Sequence, residues 1–554
     1  MRAARHKERS ENLETKVFKI DTPAGHEGEI AEAAALLRRG GLLAIPTETV
    51  YGLGANGLDG AAVRRIFEAK GRPQDNPLIL HIAEPSWITR YCENVPQAAW
   101  QLAEAFWPGP LTMILPRKAI VPDETTAGLA TVGMRCPAHS VTLAVIRAAD
   151  LPVAAPSANR SGRPSCTSAA HVLEDMDGKI EGIVDGGDCA VGVESTIVDL
   201  TVTPPRLLRP GGLPLEKLCA VLGEVEVDGA VKGKLADGEK PRAPGMKYRH
   251  YAPKAPVTVV TGDADKSARY IARRVTAGTG VLCFDEYAGL FPSAEMRLLG
   301  PVGDEAEQAR RVFDALRAFD GTDVREIYAQ CPDGHGLGLA VENRLKKAAG
   351  FHTVELPAGK TVVGITGGTG AGKTSALRAL QGLGAHIIDC DALYAGLLES
   401  DAALQSALRA AFGDGIWREG RLDRAALAGI VFSDEAALAR LNDIVFDAVP
   451  RAVLQRIRAA EESIVGIDAV NLLDCLLRDF CDVTLAVTAP EEQRLARIMA
   501  RDGIDETAAR LRMAAQRPQE YYTQRCDAVL QNDAPTAEEA ALRAETLLRT
   551  LLKR

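Results

Sequence analysis

Between residues 40 and 215 one pattern recurs four times: a short apolar run, then a glycine- and proline-rich turn loaded with polar groups. Gly41–Ile45 runs into Pro46-Thr-Glu-Thr-Val-Tyr-Gly-Leu-Gly54, and Leu151–Ala155 into Pro156-Ser-Ala-Asn-Arg-Ser-Gly-Arg-Pro164. Gly182–Asp185 leads to Val193-Glu-Ser-Thr-Ile-Val-Asp199, and Arg206–Leu208 to Arg209-Pro-Gly-Gly212. Short apolar runs bounded by such turns predict buried strands. A helical spacing over Ala61–Ala69 precedes a further strand at Pro77–Ile82. Downstream, Val257–Val260, Gly280–Phe284 and Glu326–Gln330 alternate with helical segments such as Glu305–Phe319, which predicts a small parallel α/β unit. The run Val362–Ile365 then feeds a glycine-rich stretch and helical spacing at Ala376, Leu380 and Leu383. The fold class expected is α/β in three units: an open twisted sheet, a small Rossmann-like parallel domain and a second parallel sheet. Low apolar content at 226–255 and around 350–361 marks the seams, giving domains at 15–225, 256–352 and 360–554 with 226–255 as a linker.

Composition adds exclusions. The chain has 554 residues, 46% hydrophobic and 25% charged, as in ordinary globular proteins. Its net charge of −9 argues against strong direct nucleic-acid binding. Eleven cysteines run from Cys92 to Cys526 without a C-x-x-C pair, and the histidines form no H-E-x-x-H. Reduced thiols in a cytoplasmic protein are expected, with no disulfide framework or structural zinc. Residues 1–16 are charged and carry no signal-peptide core, and no apolar run reaches the ~20 residues of a membrane helix.

Residues 367–374 read Gly-Gly-Thr-Gly-Ala-Gly-Lys-Thr between strand and helix, a complete phosphate-binding loop. Backbone N–H groups of Gly370, Ala371, Gly372, Lys373, Thr374 and Ser375 would cradle the phosphates of ATP. Lys373 would reach the outer phosphates and the Thr374 hydroxyl would hold Mg²⁺. Ile387-Ile-Asp-Cys-Asp391 ends a strand with two carboxylates, one of which could take the proton from an attacking hydroxyl. Arg497 and Arg501, four apart, share one helix face and could clamp phosphates or simply face solvent. In the first unit, Lys70, Arg72, Arg135 and Arg209 could jointly neutralise a triphosphate, although each alone reads as a surface charge. His81 could equally be a buried strand residue. Gly334-His-Gly-Leu-Gly338 comes at the end of its unit and reads as a structural loop.

P-T-E-T-V-Y-G-L-G, N-P-L-I-x-H, W-P-G-P-L-T, A-P-S-A-N and G-V-E-S-T-I-V-D together resemble the threonylcarbamoyl-AMP synthases, the YrdC-like family. The family's K-x-R … S-x-N tetrad stands here as Lys70, Arg72, Ser157 and Asn159. The linker and the 256–352 unit, with Gly336-Leu-Gly-Leu-Ala-Val-Glu-Asn-Arg344, resemble the extra domain of its longer members. The resemblance implies that L-threonine, bicarbonate and MgATP give threonylcarbamoyl-AMP and pyrophosphate. The product would pass to a transferase that modifies tRNA. It implies threonine contacts from Thr49, His81, Arg135, Ala155 and Ser195. ATP contacts are implied for Arg72, Asn76, Thr131, Ser157, Ser165 and Arg209, with Tyr248 as a lid residue ahead of Tyr251.

Residues 361–550 resemble the dephospho-CoA kinases through Gly364-Ile-Thr-Gly-Gly, D-C-D, Gly420-Arg-Leu-Asp-Arg, Leu441-Asn-Asp-Ile, Arg501-Asp-Gly and Gln516. That resemblance implies Asp391 as catalytic base, Arg497 and Arg501 in a lid, and the ribose 3′-hydroxyl of dephospho-CoA as acceptor. The chain departs from the pattern where His-Pro becomes Phe446-Asp447, where Asp-x-Pro-Leu-Leu-Phe-Glu becomes Asp468-Ala-Val-Asn-Leu-Leu-Asp474, and at Ala395. A kinase for another small hydroxyl substrate, a nucleotide-binding module without turnover, and an RNA-binding role for the first unit stay open.

Overall fold

The computed structural model describes residues 13–233, 243, 250–418, 420–431, 434–534 and 536–553. The chain divides into two compact units, Met1–Glu355 and Leu356–Arg554. The first holds an eleven-stranded mixed sheet and a five-stranded parallel sheet; the second holds a five-stranded parallel sheet.

The strands of the large sheet are β1 (Lys16–Lys19), β2 (Leu43–Ile45), β3 (Gly52–Asn56), β4 (Ile79–His81), β5 (Leu111–Pro116), β6 (Thr131–Arg135), β7 (Val153–Ala154), β8 (Gly182–Asp185), β9 (Thr196–Asp199), β10 (Arg206–Arg209) and β11 (Glu226–Val227). Their order is β1-β8-β2-β3-β7-β4-β6-β5-β9-β10-β11, open at both edges. The central strands are buried on both faces, which is why they read as continuous apolar runs. Two stretches depart from the reading above. Thr196–Asp199, placed there in a turn, is strand β9, parallel to β5. Gly52–Asn56, placed there largely in a turn, is a strand antiparallel to β2. Glycines at 52 and 54 lower its strand signal, yet close packing admits nothing larger at Gly54, where a Cβ would lie 2.7 Å from Val153. Helix α1 (Gly60–Lys70) is capped by Asp59, whose carboxylate accepts from the Ala61 and Ala62 N–H groups, and it ends in left-handed Gly71.

The smaller sheet orders β12 (Val257–Thr261), β13 (Thr279–Phe284), β14 (Glu295–Gly300), β15 (Glu326–Gln330) and β16 (Thr353–Glu355) as β14-β13-β15-β12-β16. Helices α2 (Glu305–Ala318) and α3 (Gly338–Ala348) pack into the same core as Val50 and Val193 of the large sheet's loops.

In the second unit, β17 (Thr361–Thr366) is central, and the order is β18-β21-β17-β22-β23. Here β18 is His386–Asp389, β21 Ile464–Asp468, β22 Val483–Thr488 and β23 Ala528–Gln531, with the hairpin β19 (Trp417–Arg418) and β20 (Arg421–Leu422) apart. Helices α4 (Lys373–Gly382), α5 (Cys390–Ser400), α6 (Glu435–Ala459) and α7 (Glu491–Asp502) surround it. No helix of the described residues is long and apolar enough to cross a membrane.

Candidate active sites

The ends of β4, β6 and β10, the loops after β2 and β7, the Glu194-Ser195 segment before β9 and the end of α1 converge on one cavity. Lys70, Arg72, Arg135 and Arg209 all line it, so the four scattered cations do meet. Lys70 is the last residue of α1 and is buried; its ammonium donates to the carbonyls of Ser157 and Asn159. This ties the helix end to the Pro156–Pro164 loop, where the Ser157 hydroxyl donates to Asn159 Oδ1 at 2.5 Å. Burial, reinforced by Arg72, lowers the Lys70 pKa to about 7. Arg135 closes β6, donates to the Thr49 hydroxyl at 2.9 Å and pairs with Glu48 at 2.8 Å. His81 closes the neighbouring β4, and burial plus the Arg135 charge hold it neutral, with a pKa of about 3. Arg209 donates to the Ser195 carbonyl at 2.9 Å and to its hydroxyl at 3.2 Å; that hydroxyl lies 2.8 Å from Thr112 Oγ1.

Glu194 is fully enclosed between cations. Arg344, reaching over from α3, donates to it at 2.6 Å, and the Ser165 hydroxyl donates at 2.6 Å. Burial raises the Glu194 carboxyl, but Arg344 and Arg209 outweigh it and hold the pKa at about 2. His250 and Tyr251 complete the wall. Tyr251 takes a left-handed φ of 64° and stacks 5.0 Å from Phe313, with burial raising its phenol to about 12.

Of the residues singled out from sequence, Lys70, Arg72, His81, Arg135, Ala155, Ser157, Asn159, Ser195 and Arg209 lie on this wall. Thr49 and Ser165 stand one layer behind it, on Arg135 and Glu194. Thr131 and Asn76 are not on the wall. Thr131 opens β6 whereas Arg135 closes it, about 13 Å of strand away. Asn76 is buried with its Oδ1 lacking a partner. Tyr248 falls outside the described residues. Glu48, Glu194, His250 and Arg344 were not singled out for a role; Glu194 sits beside Ser195 in its motif, while Arg344 is remote in sequence and carried no signal beyond a fold marker.

In the second unit, Gly367 at φ 145° and Gly372 at φ 84° bend the 367–374 loop into the start of α4, and Lys373, Thr374 and Ser375 form that helix's first turn. Gln516 holds Thr369 through two hydrogen bonds of 2.7 Å, and Asn532 donates to the Ala371 carbonyl at 2.9 Å. Arg497 donates to the Gly370 and Ala371 carbonyls, and Arg494, unremarked in the sequence, donates to the Thr369 carbonyl at 3.0 Å. Arg501, although on the same helix, is exposed and pairs with Asp502 at 2.7 Å, so the structure does not bring it to the loop. Lys373 lies 3.7 Å from Asp468, which ends β21 in register with Asp389. Burial raises the Asp468 pKa; Lys373 opposes the shift and Asp389 and Asp391 add to it. Asp389 caps α5, while Asp391 in its first turn lines a cavity with Phe446.

These arrangements define a chain of two separate phosphate-handling α/β enzymes: one cavity walled by cations, one glycine loop beside a carboxylate cluster. Family models described as "Telomere recombination" and "Threonylcarbamoyl-AMP synthase, C-terminal domain" match residues 35–211 and 213–350, and one described as "Dephospho-CoA kinase" matches 361–538. A threonylcarbamoyl-AMP synthase of Pyrococcus abyssi is 51% identical over 60% of this chain and 96% of its own length. A crystal structure of the Pyrococcus abyssi protein complexed with L-threonine, 49% identical, superposes with a TM-score of 0.59 over 62% of this chain and all of that one. A dephospho-CoA kinase of Thermobifida fusca is 37% identical over 35% of this chain and 96% of its own length. The chain belongs to the threonylcarbamoyl-AMP synthase family in its first unit and to the dephospho-CoA kinase family in its second.

Proposed function

We propose that this bifunctional enzyme makes threonylcarbamoyl-AMP in the first unit and phosphorylates the 3′-hydroxyl of dephospho-CoA in the second. The observation that carries the first reading is the convergence of four cations, a neutral histidine and the Ser157–Asn159 loop on one cavity. In this reading the threonine amine attacks the carbon of bicarbonate-derived carbon dioxide, forming an N–C bond and losing a proton. A carbamate oxygen then attacks the α-phosphorus of ATP, and the bond to the β-phosphate oxygen breaks as pyrophosphate leaves with its electron pair. No side-chain nucleophile takes part. Arg135, Thr49, His81, Ala155 and Ser195 hold the amino acid, while Lys70, Arg72, Ser157 and Arg209 balance the phosphate charge. Asn76, Thr131, Ser165 and Tyr248 belong to the same proposed nucleotide site, with Ser165 acting through Glu194. The labile product then serves a tRNA-modifying transferase.

In the second unit, the loop 367–374 seats ATP, Lys373 and Arg497 neutralise its phosphates, and Asp391 takes the acceptor's proton as oxygen attacks the γ-phosphorus. The residues fit Mg²⁺: the Thr374 hydroxyl opens α4, and Asp468 has a buried carboxylate oxygen without a hydrogen-bond partner. Bound there, the ion would supply positive charge against the phosphates as the transfer proceeds. All eleven cysteines are free, which supports a cytoplasmic location.

The test is two assays on the purified chain: threonine- and bicarbonate-dependent pyrophosphate release, and dephospho-CoA-dependent ADP formation. Lys373→Ala should abolish ADP formation and leave pyrophosphate release intact. Absence of dephospho-CoA turnover in an otherwise folded, threonine-active chain would reject the second reading.

A further inference from the structure

Helix α6 carries Asn442, Val445, Phe446 and Val449 at spacings of three and four, so they share one face. That face walls the cavity lined by Asp391, together with Tyr394 of α5 and the Val470-Asn471 pair that follows β21. Asn442, Phe446, Val470 and Asn471 also wall a second, open cavity that extends to Gln516 at the glycine loop. Phe446 therefore stands between the carboxylate that would receive the acceptor's proton and the loop that would hold the donor. The side-chain amides of Asn442 and Asn471 have no hydrogen-bond partner among the described residues. Along this turn of α6, Asp447 faces solvent 3.2 Å from Arg451, and Phe446 lines the cavity.

An aromatic face, two open amides and a neighbouring carboxylate match a nucleoside. A base stacks on the ring, an asparagine amide offers paired donor and acceptor to its edge, and the carboxylate meets a ribose hydroxyl. We propose that this cavity seats the purine base of the acceptor, with Phe446 as its stacking wall and Asn442 and Asn471 reading its edge. The proposal rests on the second unit being a kinase of a nucleoside-type acceptor. It assigns acceptor specificity to the position at which the chain departs from its relatives.

Steady-state kinetics of the full chain test it. Phe446→Leu keeps apolar bulk but removes the flat ring; Phe446→Tyr keeps the ring. The leucine variant should raise the KM for dephospho-CoA about tenfold, the lower part of the range for base–aromatic stacking. Its kcat and its KM for ATP should stay within about twofold of wild type, and the tyrosine variant should match wild type. Asn442→Leu should likewise raise the dephospho-CoA KM alone. Unchanged dephospho-CoA KM in Phe446→Leu, or an equal rise in the ATP KM that would place the donor's base here, overturns the proposal. If the wild-type chain does not phosphorylate dephospho-CoA, the acceptor assignment falls by itself. Calorimetry with adenosine, in the presence of a non-hydrolysable ATP analogue, then decides. Adenosine binding weakened about tenfold in Phe446→Leu upholds the seat; no adenosine binding, or equal binding in both proteins, removes it. Circular dichroism melts confirm that each variant is folded.

Discussion

Burial strips Lys70 of water, and the Arg72 charge beside it adds to the cost of a proton, so its pKa falls to about 7. Below that pH the ammonium is charged in folded and unfolded chains alike. Between about 7 and the ordinary lysine value the unfolded chain keeps a proton that the folded one has released, so this group's effect on stability improves as pH rises through that window. Phosphate binding has the opposite sense, since it needs the cation. The kcat/KM for ATP in threonine-dependent pyrophosphate release should therefore fall as pH rises through about 7, because that ratio reports the free enzyme. Lys70→Met should lower it about 100-fold and remove that limb of the profile. An unchanged limb in the variant would assign the titration to another group. His81 adds no break near neutrality: with a pKa of about 3 it is already uncharged.

Arg344 on α3 and Glu194 before β9 form the buried pair through which the smaller sheet's helices reach the synthase cavity. Removing Arg344 takes one of two cations from a buried carboxylate and leaves it Arg209 and the Ser165 hydroxyl, so Arg344→Met should cost about 3 kcal/mol, the low end of the range for a broken buried pair, in urea unfolding of the first unit. Adding Glu194→Gln should restore part of it. The Glu194 pKa is depressed to about 2, so the pair's contribution is complete above the ordinary glutamate range and is lost as pH falls through about 2. In the glycine loop, a Cβ on Gly372 would lie 2.1 Å from the Asn532 amide at a backbone φ of 84°. Gly372→Ala should reduce ADP formation at least ~100-fold and spare pyrophosphate release. Sequence spacing made β2, β4, β8, β10 and the strand–loop–helix around Lys373 legible, because apolar runs and glycine turns report backbone burial locally. It missed β3, whose glycines are there for packing, and it placed the strand Thr196–Asp199 in a turn. Arg494 and Arg344 act from distant elements, and no local pattern announces them. The cavity wall also holds Tyr251, which the family resemblance placed behind Tyr248.

At the scale of the whole chain, each unit has its own core and its own candidate site, a cation-walled cavity in the first and the glycine loop with Lys373 and Asp468 in the second. Neither reaction makes what the other consumes; ATP is their sole common reactant. Covalent linkage then fixes the ratio of two activities without coupling their chemistry, and the activities should be separable by single substitutions. Arg72→Ala should abolish threonine-dependent pyrophosphate release while kcat/KM for dephospho-CoA stays within about twofold of wild type. Lys373→Ala should do the reverse, and the double variant should lose both without any further change in melting. Additivity is expected because sites with no shared partner do not couple energetically. Saturating one half with its substrates should likewise leave the other half's KM for ATP unchanged. A KM shift in one half on occupancy of the other would instead reveal a coupling free energy, RT times the logarithm of that shift, and the same factor would have to appear in the reciprocal binding measurement.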